Sequence, residues 1–230
     1  MYLLHIANKN YSSWSLRPWL TLREFGIPFE ERITAFEPGS NWARFRDFSP
    51  SGKVPCLVDG STIVWDSLAI VEYLAERHAG VWPADAGARA WSRCAAAEMH
   101  SGFAALRGHG TMNCAMRVRL HSIPDAGAAD RARLDELWAG GLARHGGPFL
   151  GGAVFGAVDA FFAPVAFRIR SYGLPVTDTA RAYACRLLDL PGMREWDAAA
   201  VAEPWRDPEH DEQAVANGTL LADLRQGRPA

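Results

Sequence analysis

Ser12-Ser13-Trp14-Ser15 stand between an apolar stretch at residues 2–6 and an amphipathic pattern at 16–25. A hydroxyl at such a junction sits where free backbone N–H groups and the helix dipole favour negative charge. A thiol brought there ionises more readily, as cysteines do at helix starts. No cysteine precedes Cys56. A thiolate used here must therefore arrive on a small molecule, and a serine hydroxyl would stabilise it by hydrogen bonding. Taken alone, the serines read as plain helix caps, since Ser before a helix is common. Val54-Pro55 directly precedes an apolar run. An ordinary trans bond fits the spacing; a cis bond in a tight turn is the alternative, leaving the Val54 N–H and C=O to pair with an extended peptide. Asp66-Ser67 opens a further helical pattern. Its N–H groups and hydroxyl could hold a carboxylate and Asp66 an ammonium, which together describe an α-amino-acid head group; a simple N-cap is the other option.

The elements that position these residues follow from periodicity. Residues 2–6 read as a strand. Leu16, Trp19, Leu20 and Phe25 have helical spacing, with Gly26 and Pro28 as the stop. Pro18 is tolerated only near a first turn, so the spacing predicts a helix starting close to Ser15. Residues 29–34 read as a second strand, followed by a short helix around 41–48. Asp59-Gly60 between two apolar runs predicts a hairpin pairing 56–58 with 62–64. A helix from Asp66 to about His78 completes the order βαβαββα in residues 1–78. Residues 79–87 are rich in Gly, Pro and Ala and read as a linker. From 88 to 230 only helical patterns are predicted, at 88–108, 128–144, 157–171, 178–189 and 191–200. An irregular tail carrying Pro204, Pro208 and Pro229 ends the chain.

Bulk composition excludes several classes. The chain has 230 residues, 49% of them apolar and 22% charged, with a net charge of −2. That is an ordinary globular balance. There is no basic surplus for nucleic acid and no apolar run near the roughly 20 residues that span a bilayer. MYLLHIANKN lacks a basic leader and a cleavage site, so a cytoplasmic location is expected. Cys56, Cys94, Cys114 and Cys185 form no CxxC pair, which predicts neither a metal site nor a disulfide framework.

Together these features resemble the cytosolic glutathione transferases. YSSWSLRPWL (11–20) resembles the SSCxxRxRIAL stretch of the zeta class and the serine-containing stretch of the tau class. SPSGKVPCL (49–57) resembles the NPxGKVPxL loop, and WDSLAIVEYL (65–74) the xESxAIxxYL helix. FGAVDAFFAPV (155–165) resembles FSxADxxLxPV, where an aspartate, here Asp159, caps the family's sixth helix; Gly156 replaces the usual Ser/Thr. The likeness is sharp over residues 1–78 and looser beyond.

The resemblance implies a thioredoxin-like N-terminal domain that holds glutathione as co-substrate and a helical-bundle C-terminal domain that holds a small electrophile. It implies a homodimer with a detoxifying transferase activity. Ser12, or else Ser13, would stabilise the glutathione thiolate. Ser13, Trp14, Lys53, Val54, Pro55 (cis), Asp66 and Ser67 would bind glutathione. Met99, His100, Phe103, Arg107 and Arg168 would face the second substrate, with Arg168 or Arg170 holding a carboxylate on it. Trp14 stands where the zeta class has the cysteine linked to its isomerase activity, which counts against isomerisation of the maleylacetoacetate type; that isomerisation is one alternative activity, and a non-catalytic binding protein is another.

Overall fold

The computed structural model describes residues 1–225. Its first part runs β1 (Tyr2–Ile6), α1 (Ser13–Glu24), β2 (Phe29–Ile33), α2 (Trp42–Arg46), β3 (Cys56–Asp59), β4 (Thr62–Trp65) and α3 (Ser67–Ala75). The sheet has the order β2-β1-β3-β4. β1 and β2 are parallel, with Tyr2 opposite Phe29, and β3 is antiparallel to both β1 and β4. Asp59 pairs with Thr62 across the predicted turn, where Gly60 takes φ +58°, a conformation that costs glycine nothing.

α1 starts two residues earlier than Pro18 led us to expect, and Pro18 lies inside it. Pro18 has no N–H to offer the Trp14 carbonyl four residues back. Buried residues run without a break from Ser15 to Leu22, so tertiary packing holds the helix through that gap.

The second part contains α4 (Ala86–Ser101), α5 (Ala104–His109), β5 (Met116–Leu120), α6 (Asp125–His145), α7 (Ala157–Tyr172), α8 (Asp178–Leu188), α9 (Pro191–Ala202), α10 (Pro208–Val215) and β6 (Gly218–Asp223). Three expectations are corrected here. The helix predicted over 88–108 is two helices. It breaks at Gly102, whose extended backbone lies so close to Glu98 that a Cβ would meet the Glu98 carbonyl at 2.8 Å; Phe103 follows with φ +53°. The region is also not purely helical. β5 and β6 form a two-stranded antiparallel sheet, in which Met116 and Val118 turn inward. Nor is the tail irregular. Asp207 caps α10 and Pro208 occupies its first turn, where a missing N–H is no loss. Pro229 lies outside the described residues.

α7 ties the halves together. Nearly all of it is buried. Phe161, Phe162 and Val165 pack with Trp138 and Tyr183 of the helical core, while Ala160, Ala163 and Phe167 pack with Leu16, Leu20 and Leu57 below the sheet. The two parts thus meet through an apolar interface along α7.

Candidate active site

A cleft of about 500 Å³ opens where the start of α1 faces α5, α7 and α10. A second lobe of about 400 Å³ continues toward the start of α3. Trp14, Lys53 and Val54 form walls of both. The larger lobe is also bounded by Ser12, Ser13, Arg107 and Arg168, and the smaller by Pro55, Asp66 and Ser67.

At the α1 end, Ser12 is the N-cap residue and is 6% exposed. Its Oγ donates to Ser15 Oγ at 2.7 Å, so it does not cap the helix in the ordinary way. Ser13, more open, makes no side-chain hydrogen bond among the described residues. The N–H groups of Trp14 and Ser15 lie in the first turn, where no intrahelical acceptor exists. A donor hydroxyl and unpaired N–H groups thus converge on the cleft, an arrangement that favours an anion.

The loop before β3 adds a peptide edge. The Val54-Pro55 bond is cis, and neither the N–H nor the C=O of Val54 is hydrogen-bonded among the described residues. An extended ligand can therefore pair with it as an added strand does. At α3, Asp66 adopts φ +75°, a strained conformation for a non-glycine residue that costs of order 1–3 kcal/mol. Its Oδ1 accepts the Leu68 N–H at 2.7 Å. Ser67 Oγ is buried with no partner among the described residues, although it borders the smaller lobe. A buried hydroxyl left unpaired costs about 1–3 kcal/mol, which a ligand carboxylate would recover.

The helical side carries positive charge. Arg17, from α1, is 1% exposed. Its guanidinium lies 4.2 Å from the Trp14 ring centroid and 5.0 Å from that of Phe161. Burial, followed by the charges of Arg168 and Arg107, pushes it down to about 9, with only Asp66 opposing. Arg168 is held by the Gly110 carbonyl at 2.8 Å and the Pro164 carbonyl at 3.3 Å, and burial pushes it down to about 10. Arg107 stands 5.4 Å from the Trp14 ring. The Nε atoms of Arg17 and Arg107 are buried and unpartnered, and none of the three arginines has an ion pair within 4 Å among the described residues. His100 bridges Arg17 and Asp66. Its Nδ1 is 3.5 Å from Arg17 Nη1 and its Nε2 3.4 Å from Asp66 Oδ2. Burial lowers its pKa, with Asp66 opposing. A neutral ring then accepts from arginine and donates to the carboxylate.

Not every expected residue reaches the cleft. Met99 is fully buried in the helical core and Phe103 nearly so; neither borders either lobe. Both are corrected to core residues, because the face of α4 that carries Met99 packs on α7 and the break at Gly102 turns Phe103 inward. His100 stands behind Trp14, edge-on at 5.0 Å, off the cleft wall. Of Arg168 and Arg170, only Arg168 faces the cleft; Arg170 is locked to Asp197 at 2.7 and 2.6 Å. Burial pushes the Cys56 thiol up to about 11, which makes it a poor nucleophile. The wall also includes residues that the sequence did not single out, among them Phe36 and His210. The Asp207-Pro208 cap that starts α10 was the available signal for the latter.

A thioredoxin-like domain joined to a helical one is the fold of the glutathione transferases. Residues 11–77 match the family described as glutathione S-transferase, N-terminal domain. The chain is 41% identical over 63 residues to dichloromethane dehalogenase of Methylorubrum extorquens, covering 26% of this chain and 22% of that protein. It thus spans about a fifth of that relative's length. It is 27% identical over 208 residues to the glutathione S-transferase GstB of Escherichia coli K12, covering 84% of this chain and 97% of GstB. A glutathione transferase homolog from Burkholderia GL BGR1, solved with bound glutathione, superposes with a TM-score of 0.68 at 22% identity, covering 88% of this chain and 99% of that one. Among the described residues no helix is long and apolar enough to cross a membrane.

Proposed function

We propose that the chain is a glutathione transferase in which a serine at the start of α1 holds the glutathione thiolate for attack on a small electrophile. One observation carries this: Ser12 and Ser13, the unpaired Val54 peptide and the Asp66-Ser67 turn border two adjoining lobes that share a wall. The γ-glutamyl head group binds Asp66 through its ammonium and Ser67 through its carboxylate. The cysteinyl backbone pairs with Val54, and the sulfur reaches Ser12. Lys53 and Trp14 close over the tripeptide. The matched domain and the relatives' names support the choice of co-substrate. The family likeness also underlies the proposed division at residues 1–78, 79–87 and 88–230, and a cytoplasmic homodimer.

The second substrate occupies the larger lobe, and Arg107 with Arg168 selects one that bears a carboxylate. Three buried or half-buried guanidinium groups without an ion pair among the described residues, with Asp66 opposing the repulsion at Arg17, are an unfavourable arrangement that an anion relieves. Titration calorimetry with glutathione tests the first half of the proposal, and the absence of heat at millimolar glutathione would sink it. For the second half, 4-(chloromethyl)benzoate is compared with uncharged 4-methylbenzyl chloride. Arg107→Gln is expected to raise KM for the carboxylate by about tenfold, the worth of one charge-assisted hydrogen bond, and to leave the uncharged compound within about twofold. Equal changes on both compounds would remove Arg107 from substrate selection.

A further inference from the structure

α10 contributes one ionisable side chain to the cleft wall, His210. Three contacts fix its ring. Nδ1 lies 2.8 Å from Asp207 Oδ2, one face stacks on Phe36 with centroids 4.9 Å apart, and Tyr11 leans against it at 5.1 Å. Tyr11 is itself anchored, its hydroxyl donating to Asp211 at 3.0 Å and accepting from Arg225 at 2.7 Å. Asp207 is 3% exposed, and its Oδ1 accepts the Glu209 N–H at 3.1 Å and the His210 N–H at 3.5 Å. A buried carboxylate on Nδ1 keeps the proton on that nitrogen and makes Nε2 the working one. Among the described residues Nε2 has no hydrogen-bond partner. An oriented ring with a free nitrogen, bordering the same cleft as Ser12 and Ser13, has the tautomer and anchoring that a general acid or base needs.

We propose that His210, oriented by Asp207, donates the proton that completes addition of glutathione to an activated double bond, such as that of an α,β-unsaturated ketone. The proposal rests on the glutathione site described above. In the addition, the sulfur lone pair forms the S–C bond at the β-carbon. The C=C π pair moves to give an enolate, and the enolate α-carbon takes the Nε2 proton of the imidazolium. All atoms of both reactants remain in the product. The thiol proton passes to solvent when the thiolate forms, and the imidazole left behind recovers a proton from solvent, so no net proton is gained or lost. Displacement of chloride needs no such donor, because the halide leaves with the bonding pair. His210 therefore separates two reaction types that share one thiolate.

The test compares the unsubstituted protein with His210→Gln and His210→Ala at saturating glutathione. One substrate is 4-phenyl-3-buten-2-one, an addition; the other is 1-chloro-2,4-dinitrobenzene, a displacement. We expect kcat on the enone to fall by at least about tenfold in both variants, kcat for displacement to fall several-fold less, and added imidazole to restore part of the enone rate of His210→Ala. Asp207→Asn, which keeps a capping side chain, should give a smaller loss confined to the enone. Three results would each overturn the role of His210 and leave the glutathione site standing: equal losses on both substrates, no rescue by imidazole, or an unsubstituted protein that displaces chloride without adding to the enone. A protein that ignores glutathione would overturn both.

Discussion

Ser12→Ala is expected to lower kcat/KM with 1-chloro-2,4-dinitrobenzene by about 10²-fold, the effect of removing one preorganised donor to a developing or bound anion. Glutathione affinity should change far less, since in the proposed binding mode Val54, Asp66 and Ser67, which border the smaller lobe, hold the tripeptide elsewhere. Ser12 donates to Ser15 Oγ at 2.7 Å, and that oxygen also accepts the Ala7 N–H at 3.4 Å. An ionised thiolate is a stronger acceptor than a neutral hydroxyl, so the Ser12 O–H is expected to turn to it when glutathione binds. Its near-complete burial leaves little water to replace the lost donor. Ser13 is more open, and Ser13→Ala should cost only about threefold, the value of a solvent-accessible hydrogen bond. The thiolate absorbance of bound glutathione, followed against pH, gives an independent readout. Removing a donor that favours the charged form raises the thiol pKa, so the titration should move to higher pH in Ser12→Ala. A larger loss in Ser13→Ala than in Ser12→Ala would transfer the role to Ser13.

What was legible in the chain depended on how local its cause was. Asp59-Gly60 needs only two residues to specify a turn, and the β3–β4 pairing lies where that dipeptide puts it. Asp66 at a helix start is equally local. β5 was missed although Met116, Val118 and Leu120 alternate with Arg117 and Arg119, because five residues signal a strand weakly and the partner, β6, lies about a hundred residues on. Periodicity on α4 placed Met99 and His100 on a helix but could not say which neighbour takes each side. α7 took Met99, and Trp14 took His100. Arg17 stood out in the sequence only as part of a motif; its burial among other arginines is a property of three elements brought together.

Asp159→Ala is expected to destabilise the protein by about 3–5 kcal/mol, the range for losing a fully buried polar hub. Asp159 is 0% exposed. Its Oδ2 accepts the Gly156 N–H at 2.9 Å, and its Oδ1 accepts the Leu150 N–H at 3.0 Å and the Tyr183 hydroxyl at 2.6 Å. Gly156 offers the helix no side-chain cap, so Asp159 alone ties the loop before α7 to its first turn. Alanine would leave three buried donors unpaired, whereas Asn keeps one carbonyl acceptor and should recover part of the loss. Denaturant unfolding read as a midpoint shift measures both variants. The effect reaches the cleft because the same helix carries Phe161, against the Arg17 guanidinium, and Arg168, on the cleft wall. Asp159→Asn protein that remains folded should therefore keep most of its turnover at low temperature and lose it as unfolding begins. Activity lost in a protein with an unchanged unfolding midpoint would instead mean that Asp159 acts in the chemistry and not in the frame that positions it.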